Sequence, residues 1–103
     1  MKRQYYDNIP SPCFVQEENK LINNLEILKY VRENAPVQIL VALKGYAFWH
    51  SFPLIKKYID GASASSLFEA KLINEEMGVK AHTYCPAYLK DDFEEIANLS
   101  KHL

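Results

Sequence analysis

A single lysine, Lys44, stands at the end of an apolar run that is typical of a buried strand. Residues 37–43 read VQILVAL and are rich in β-branched and aliphatic side chains. Lys44 and Gly45 follow this run directly. A parallel strand delivers the residues at its C-terminal end to the ligand-binding edge of an α/β fold. The pattern therefore predicts one amine at such an edge, beside a glycine that lets backbone or ligand approach closely.

An amine held in a partly desolvated pocket can react with an aldehyde. Burial disfavours the charged form of a lysine, and a neutral amine such as that of Lys44 can form a Schiff base. Pyridoxal phosphate (PLP) is the commonest aldehyde cofactor bound through a lysine. The alternative is an ordinary strand-end lysine whose ammonium extends into water.

A second candidate region is the run of small residues at positions 62–66, which reads ASASS. Its serines could offer hydroxyls and amides to a cofactor, and a helix beginning at Ser66 would suit an anion. Close packing of a helix on a sheet is the alternative, since the sequence has no glycine-rich phosphate loop. Ser66 and Glu69 also match the S-x-x-E capping box that begins a helix.

The remaining reactive side chains form no pattern typical of a metal site or a nucleophile. His50, His82 and His102 show neither H-x-x-x-H nor H-E-x-x-H spacing. His82 and Cys85 are three residues apart on a predicted strand, so they should point to opposite faces. No metal is therefore expected. An aromatic cluster is predicted to pack in the core: Tyr46, Phe48, Trp49 and Phe52.

These residues lie on an alternation of predicted strands and helices. The predicted strand ends, near Lys44, Ser65 and Cys85, recur about every twenty residues. The sequence predicts strands at 13–15, 37–43, 62–65 and 79–85, a next strand beginning near 102, and helices at 17–34, from a Ser51 cap to 60, at 66–77 and at 90–100. This order indicates an α/β fold with a parallel sheet.

Composition narrows the class of protein. The 103 residues are 49% hydrophobic and carry a net charge of -1, which fits one small globular domain and argues against a nucleic-acid partner. Cys13 and Cys85 form no C-x-x-C pair, so reduced thiols in the cytoplasm are expected. No apolar run approaches the ~20 residues of a membrane helix, and the N-terminus has no apolar signal segment.

Four motifs follow one another along the chain: IPSPCFV, VALKGYAF, DGASASSLFEA and HTYCPAY. Together they resemble the start of the carboxynorspermidine (carboxyspermidine) decarboxylases, and the resemblance covers essentially the whole chain. This family is a branch of the PLP-dependent decarboxylases with an alanine racemase-like barrel.

The resemblance implies a fold, a reaction and site residues. Lys44 matches the Schiff-base lysine of the family. Ser66 and Glu69 match the serine and the acid that begin the helix after the second barrel strand, near the cofactor. The implied fold is the N-terminal part of a PLP-binding (β/α)8 barrel with about three βα units. The implied activity is removal of a carboxylate from carboxynorspermidine or carboxyspermidine, giving norspermidine or spermidine, in a homodimer.

A (β/α)8 barrel needs typically ~250 residues. Residues 1–103 are therefore expected to be the N-terminal segment of the barrel, with its remainder and a C-terminal β-domain outside this chain. Alone, the segment is expected to be inactive and poorly folded. The residues also leave open a diaminopimelate- or ornithine-type decarboxylase, a non-catalytic PLP-binding protein, and a small α/β interaction domain in which Lys44 only extends into water.

Overall fold

The computed structural model describes residues 6–103, in which four short strands alternate with helices. Residues 1–5, where the sequence predicts no apolar signal segment, lie outside the described residues. The elements in chain order are α1 (Glu18–Asn34), β1 (Leu40–Ala42), α2 (Phe52–Ile55), β2 (Gly61–Ala64), α3 (Leu67–Leu72), β3 (Ala81–Thr83), α4 (Phe93–Leu99) and β4 (Ser100–His102). A 3₁₀ turn at Trp49–Ser51 precedes α2, and a π-helical turn at Ile73–Met77 extends α3.

The four strands form one parallel sheet in the order β1-β2-β3-β4. Val41 is the register partner of Ala62, and Ser63 is the partner of His82. Between β3 and β4 the register shifts at Ala81/His82. Each connection between successive strands carries a helix, as parallel pairing requires. The predicted α/β class is confirmed, and the strand expected near residue 102 begins at Ser100.

The core lies between one face of the sheet and the helices. Ala62 and Ala81 are 0% exposed on that face, and such small side chains let the helices approach closely. Phe52 and Ile73, which are also fully buried, fill the space above them. Ser63 and His82 alternate with the buried strand residues and are only half-buried. They lie on the other face, which no helix of residues 6–103 covers to the same extent.

Several of the predicted elements differ from the structure. The helix predicted to reach 60 ends at Ile55, and the strand predicted at 79–85 covers only Ala81–Thr83. Residues 13–15 are irregular rather than a strand, and none of the described strands pairs with them. β1 begins at Leu40 rather than at 37, because its partner β2 begins at Gly61, opposite Leu40. The helix predicted at 90–100 begins at Phe93.

The start of α2 also departs from the sequence expectation. The sequence predicts that Ser51 caps this helix, but its side chain makes no cap bond there. The Ser51 hydroxyl instead donates to the carbonyl oxygen of Phe48 at 2.7 Å. The aromatic prediction is half right, since Phe52 is buried and Tyr46 packs against the core while Phe48 and Trp49 are exposed.

Asp60 joins three elements at the N-terminal end of the sheet. Its backbone N–H donates to the carbonyl oxygen of Ile39 at 2.9 Å, and its Oδ2 accepts from the Ile39 N–H at 2.8 Å. Its other carboxylate oxygen lies 3.6 Å from the Arg32 guanidinium in the last turn of α1.

None of the helices within residues 6–103 has the length and apolarity needed to span a membrane.

Candidate functional site

Lys44 lies in a hydrogen-bonded turn just past the C-terminal end of β1. The backbone N–H groups of Gly45 and Tyr46 both donate to the carbonyl oxygen of Ala42, at 2.9 and 3.0 Å. On the other side of the lysine, Leu43 is 4% exposed and its N–H donates to the carbonyl oxygen of Ser63 on β2. The strand and its neighbour therefore fix the backbone position of Lys44 at the end of the sheet where the parallel strands terminate, as the sequence predicts.

The side chain of Lys44 is exposed. No hydrogen bond or ion pair joins it to another residue of the described range. The partly desolvated pocket expected around this amine is therefore not formed by residues 6–103. The physical reason is the position of β1, which is an edge strand with a sheet neighbour on one side only among the described strands.

Ser66 and Glu69 form the predicted capping box at the start of α3. The Ser66 hydroxyl accepts from the Glu69 N–H at 3.2 Å. Glu69 Oε1 in turn accepts from the N–H of Ser65 at 3.1 Å. These two bonds satisfy donors at the start of the helix, which would otherwise lack partners. Both side chains thus have a local structural role, and their proximity to a cofactor stays a prediction.

The same edge gathers the residues that follow β2 and β3. Tyr84 comes directly after β3, and its N–H donates to the carbonyl oxygen of Ala64 at 3.0 Å. The thiol of Cys85 donates to the carbonyl oxygen of Ser65 at 3.0 Å. Because all strands are parallel, Lys44, Ser65 and Cys85 lie at one edge of the sheet, as their spacing indicates.

A pair of histidines lies on the face of the sheet opposite to the main core. His82 and His102 are register partners on β3 and β4, and their ring centroids are 4.9 Å apart. Burial, with smaller effects from the nearby His102 and Lys101, lowers the pKa of His82. Sequence reasoning does not bring the two together, although their separation equals the strand repeat of about twenty residues.

The residues around Lys44 fit the attachment of PLP. The amine has no partner within residues 6–103, so no ion pair has to be broken before it reacts with an aldehyde. A Cβ added at Gly45 would meet only the carbonyl oxygen of Ala42, at 3.7 Å, so the space beside the turn is open. An open groove of about 530 Å³ also adjoins the turn, between Phe14–Gln16 and Gly45–Phe48. The described residues include no glycine-rich phosphate loop.

The histidines, cysteines and acids of the described range supply no cluster of three groups that could hold a metal ion.

The turn that bears Lys44 is linked to its surroundings by three polar residues: Gln16, Tyr46 and Ser51. Sequence reasoning does not single these out as site residues. Their polar contacts join residues 16, 46 and 51, which are too far apart in the sequence to form a short motif.

Comparison with known proteins identifies close relatives. The chain is 45% identical over 96 residues to a carboxyaminopropylagmatine decarboxylase from Synechocystis, a match that covers 93% of this chain and 25% of the relative. It is 40% identical over 99 residues to a carboxynorspermidine/carboxyspermidine decarboxylase from Campylobacter jejuni, a match that covers 96% of this chain and 26% of the relative. No family model matches.

A solved structure agrees with these relatives. The crystal structure of carboxynorspermidine decarboxylase from Campylobacter jejuni in complex with norspermidine superposes with a TM-score of 0.85 at 41% identity, covering 89% of this chain and 25% of the solved chain. The resemblance read from the motifs is therefore confirmed. The chain spans about a quarter of the length of the relatives it matches.

Proposed function

We propose that this chain is the part of a PLP-dependent decarboxylase of carboxylated polyamines that carries the cofactor-binding lysine, Lys44. The observation that carries the proposal is the amine of Lys44 at a parallel strand end, without a partner among residues 6–103, in a chain 40% identical to a carboxynorspermidine/carboxyspermidine decarboxylase. PLP supplies an aldehyde that a lysine can hold as a Schiff base and a ring that accepts the electrons left when CO2 departs.

In this proposal, the residues of this chain hold the cofactor and orient the amine that binds it. Lys44 Nζ would bind the cofactor, and the turn after β1 fixes the backbone position from which the lysine side chain extends. Ser66 and Glu69 lie near the cofactor in this proposal and keep the first turn of α3 at the same edge of the sheet. The groups that bind the phosphate, pair with the ring nitrogen and recognise the substrate are proposed to lie outside this chain.

The proposal also includes the substrate of the complete protein. The sequence resemblance favours carboxynorspermidine or carboxyspermidine, with norspermidine or spermidine as the product. The 45% identity to a carboxyaminopropylagmatine decarboxylase makes carboxyaminopropylagmatine the second candidate. These compounds share a carboxylated aminopropyl group and differ at the far end, where agmatine carries a guanidinium. Diaminopimelate and ornithine, which carry carbon in place of the secondary amine that bears this group, rank below them, as does a non-catalytic PLP-binding role.

The setting of the chain is also proposed. We expect residues 1–103 to be the N-terminal segment of a barrel domain within a longer, homodimeric, cytoplasmic protein. The quarter-length match to the relatives supports this, as do large apolar side chains exposed on both α1 and the preceding segment: Phe14, Val15, Ile27, Tyr30 and Val31. The two cysteines are unpaired thiols, which fits a reducing compartment.

The first experiment maps the attachment site of PLP in the complete protein. The protein is incubated with PLP, reduced with borohydride, and digested for mass spectrometry. A single pyridoxyl adduct on Lys44 is expected, absent from Lys44→Arg and retained in the control Lys57→Arg, whose lysine is exposed in the turn between α2 and β2. A complete protein without an adduct on Lys44 would remove the decarboxylase proposal.

A second experiment separates the substrates. CO2 release is measured with carboxynorspermidine, carboxyspermidine, carboxyaminopropylagmatine, diaminopimelate and ornithine. The highest kcat/KM is expected with one of the first two. A preference for carboxyaminopropylagmatine would correct the substrate while keeping the role of Lys44, and labelling without CO2 release from any of them would favour a non-catalytic PLP-binding protein.

A further inference from the structure

Tyr46, two residues after Lys44, links the lysine-bearing turn to two other segments. Its hydroxyl donates to Gln16 Oε1 at 2.6 Å and lies 2.8 Å from Ser51 Oγ. Gln16 precedes α1, and Ser51 ends the 3₁₀ turn before α2. One hydroxyl group therefore joins the loop after β1 to the starts of two helices.

The partners of this hydroxyl are themselves fixed to different degrees. Ser51 is only 8% exposed and donates to the carbonyl oxygen of Phe48, so its oxygen cannot move without losing a buried hydrogen bond. Gln16 is exposed, but it lies next to the first turn of α1. The ring of Tyr46 is half-buried and packs against the hydrophobic core. Both the ring and the hydroxyl of Tyr46 are thus held.

Because Tyr46 is held, the backbone of the turn restrains Lys44 as well. The N–H of Tyr46 donates to the carbonyl oxygen of Ala42, which also accepts from Gly45, so the turn closes around the lysine. On the other side, buried Leu43 is bonded to Ser63. Lys44 itself has no side-chain partner within the described range. The direction in which its side chain leaves the backbone therefore depends on its anchored neighbours, and Tyr46 is the one anchored through a side-chain hydroxyl.

We propose that the Tyr46 hydroxyl is a positioning group that holds the amine of Lys44 in the orientation needed for attachment of PLP. The inference rests on the proposed function, because it requires that Lys44 bind the cofactor. Without the hydroxyl, the turn loses its hydrogen bond to Gln16 and its 2.8 Å contact with Ser51, and the amine spends less time in reactive geometry. A factor of about 3 to 10 in the rate of attachment corresponds to the loss of one such hydrogen bond.

The test compares Tyr46→Phe with the matched control Tyr58→Phe in the complete protein. Tyr58 is another half-buried tyrosine packed against the core, and its hydroxyl makes no hydrogen bond within residues 6–103. Cofactor-free protein is mixed with PLP, portions are reduced with borohydride at timed intervals, and the pyridoxyl-Lys44 peptide is quantified by mass spectrometry. We expect labelling about 3- to 10-fold slower in Tyr46→Phe and at the unsubstituted rate in Tyr58→Phe.

A second variant guards against a folding defect. Gln16→Leu changes an exposed side chain outside the helices, so it should leave the fold intact while removing the acceptor of the Tyr46 hydroxyl. Labelling of Lys44 should again be slower. Equal labelling rates in the unsubstituted protein and in both variants, with or without a lower melting temperature, would overturn the positioning role and leave that of Lys44 intact. Absence of labelling in the unsubstituted protein would overturn both proposals.

Discussion

The imidazole rings of His82 and His102 lie side by side on adjacent parallel strands, with their centroids 4.9 Å apart. They lie on the face of the sheet opposite to the buried alanines. Burial is the main reason that the pKa of His82 is lowered, and the positive charges that His102 and Lys101 can carry add to it. The neutral form of His82 is therefore favoured in the folded protein.

This arrangement predicts a loss of stability on mild acidification. The ordinary pKa of the side chain is 6.5 and the folded value lies below it, so the unfolded chain binds the proton more readily in the window between the two. The contribution of His82 is therefore fully present above pH 6.5 and is lost as the pH falls through the folded pKa. Thermal unfolding of the complete protein, measured from about pH 8 to about pH 5, should show a smaller decrease for His82→Asn than for the unsubstituted protein.

The control for this prediction is His50→Asn, which removes an exposed histidine from the 3₁₀ turn before α2. It should keep the decrease of the unsubstituted protein. If His82→Asn and the unsubstituted protein lost stability equally over this pH range, the linkage to His82 would be wrong.

The capping box at the start of α3 predicts a stability cost for Ser66→Ala. Removing the hydroxyl leaves the N–H of Glu69 without its acceptor, and loss of such a cap costs typically ~1 kcal/mol in the free energy of unfolding. Ser66→Thr keeps the acceptor and should lose less. Urea denaturation of the complete protein measures both. Borohydride labelling of Lys44 separates the cap from the proposed place of Ser66 near the cofactor: labelling that falls more in Ser66→Ala than in Ser66→Thr, in samples that remain folded, would support a cofactor contact, and equal labelling would leave Ser66 with the cap alone.

Two glycines should respond differently to alanine. Gly78 ends the π-helical turn with φ 70°, a left-handed conformation that costs non-glycine residues roughly 1–2 kcal/mol. Its added Cβ would lie 3.5 Å from Lys56 Nζ, so conformation rather than space limits the substitution. Gly45 does not need a positive φ, and its added Cβ meets nothing closer than 3.7 Å. Denaturation should show a loss for Gly78→Ala and little change for Gly45→Ala.

A similar loss in the two glycine variants would show that the turn after β1 is tighter than its geometry indicates. Weaker PLP labelling of Gly45→Ala at unchanged stability would mean that the cofactor passes close to the Cα of Gly45.

Asn74, in the π-helical turn that extends α3, ties this helix to the end of α4. Its amide nitrogen donates to the carbonyl oxygens of Ala70 and Leu99, both at 2.8 Å. Asn74→Leu keeps the size of the side chain but removes the amide donor from both carbonyls. That of Ala70 still accepts from the Ile73 N–H, so the main loss is at Leu99, and it should cost about 1–3 kcal/mol in unfolding free energy. The matched control is Asn34→Leu. Its amide makes the same bond to the carbonyl four residues earlier, but in an exposed position, and its loss should stay within roughly 0.5 kcal/mol.

Equal unfolding free energies for the two asparagine variants would contradict the importance of the long-range bond to Leu99. Urea denaturation followed by circular dichroism provides the comparison.

The order of elements and the capping box can be predicted because their causes are local. The apolar run before Lys44, the S-x-x-E pattern at Ser66 and the repeat of about twenty residues depend on neighbouring residues alone. They place Lys44 and Ser66 at the ends of parallel strands. The start of β4 at Ser100 follows from the same repeat.

The remaining features depend on partners that a single sequence does not display. Residues 13–15 have strand-like composition, but a strand also needs a neighbour to pair with. The hydroxyl of Ser51 is chemically able to cap α2, yet the nearby carbonyl of Phe48 and the Tyr46 hydroxyl occupy it instead. The bond between Gln16 and Tyr46 joins residues that are thirty positions apart, and the exposure of Lys44 depends on which segments cover the edge of β1.

The edge position of β1 bears on the order in which the molecule is assembled. In a closed barrel the first strand pairs with the last one, so in the proposed barrel the seam of the ring would run along β1, the strand that Lys44 follows. β2 would then give β1 its first neighbour early, and the second neighbour would come only when the ring closes. Cofactor capture at Lys44 would then be the last property that the growing chain acquires, and PLP labelling would report ring closure rather than the mere presence of β1.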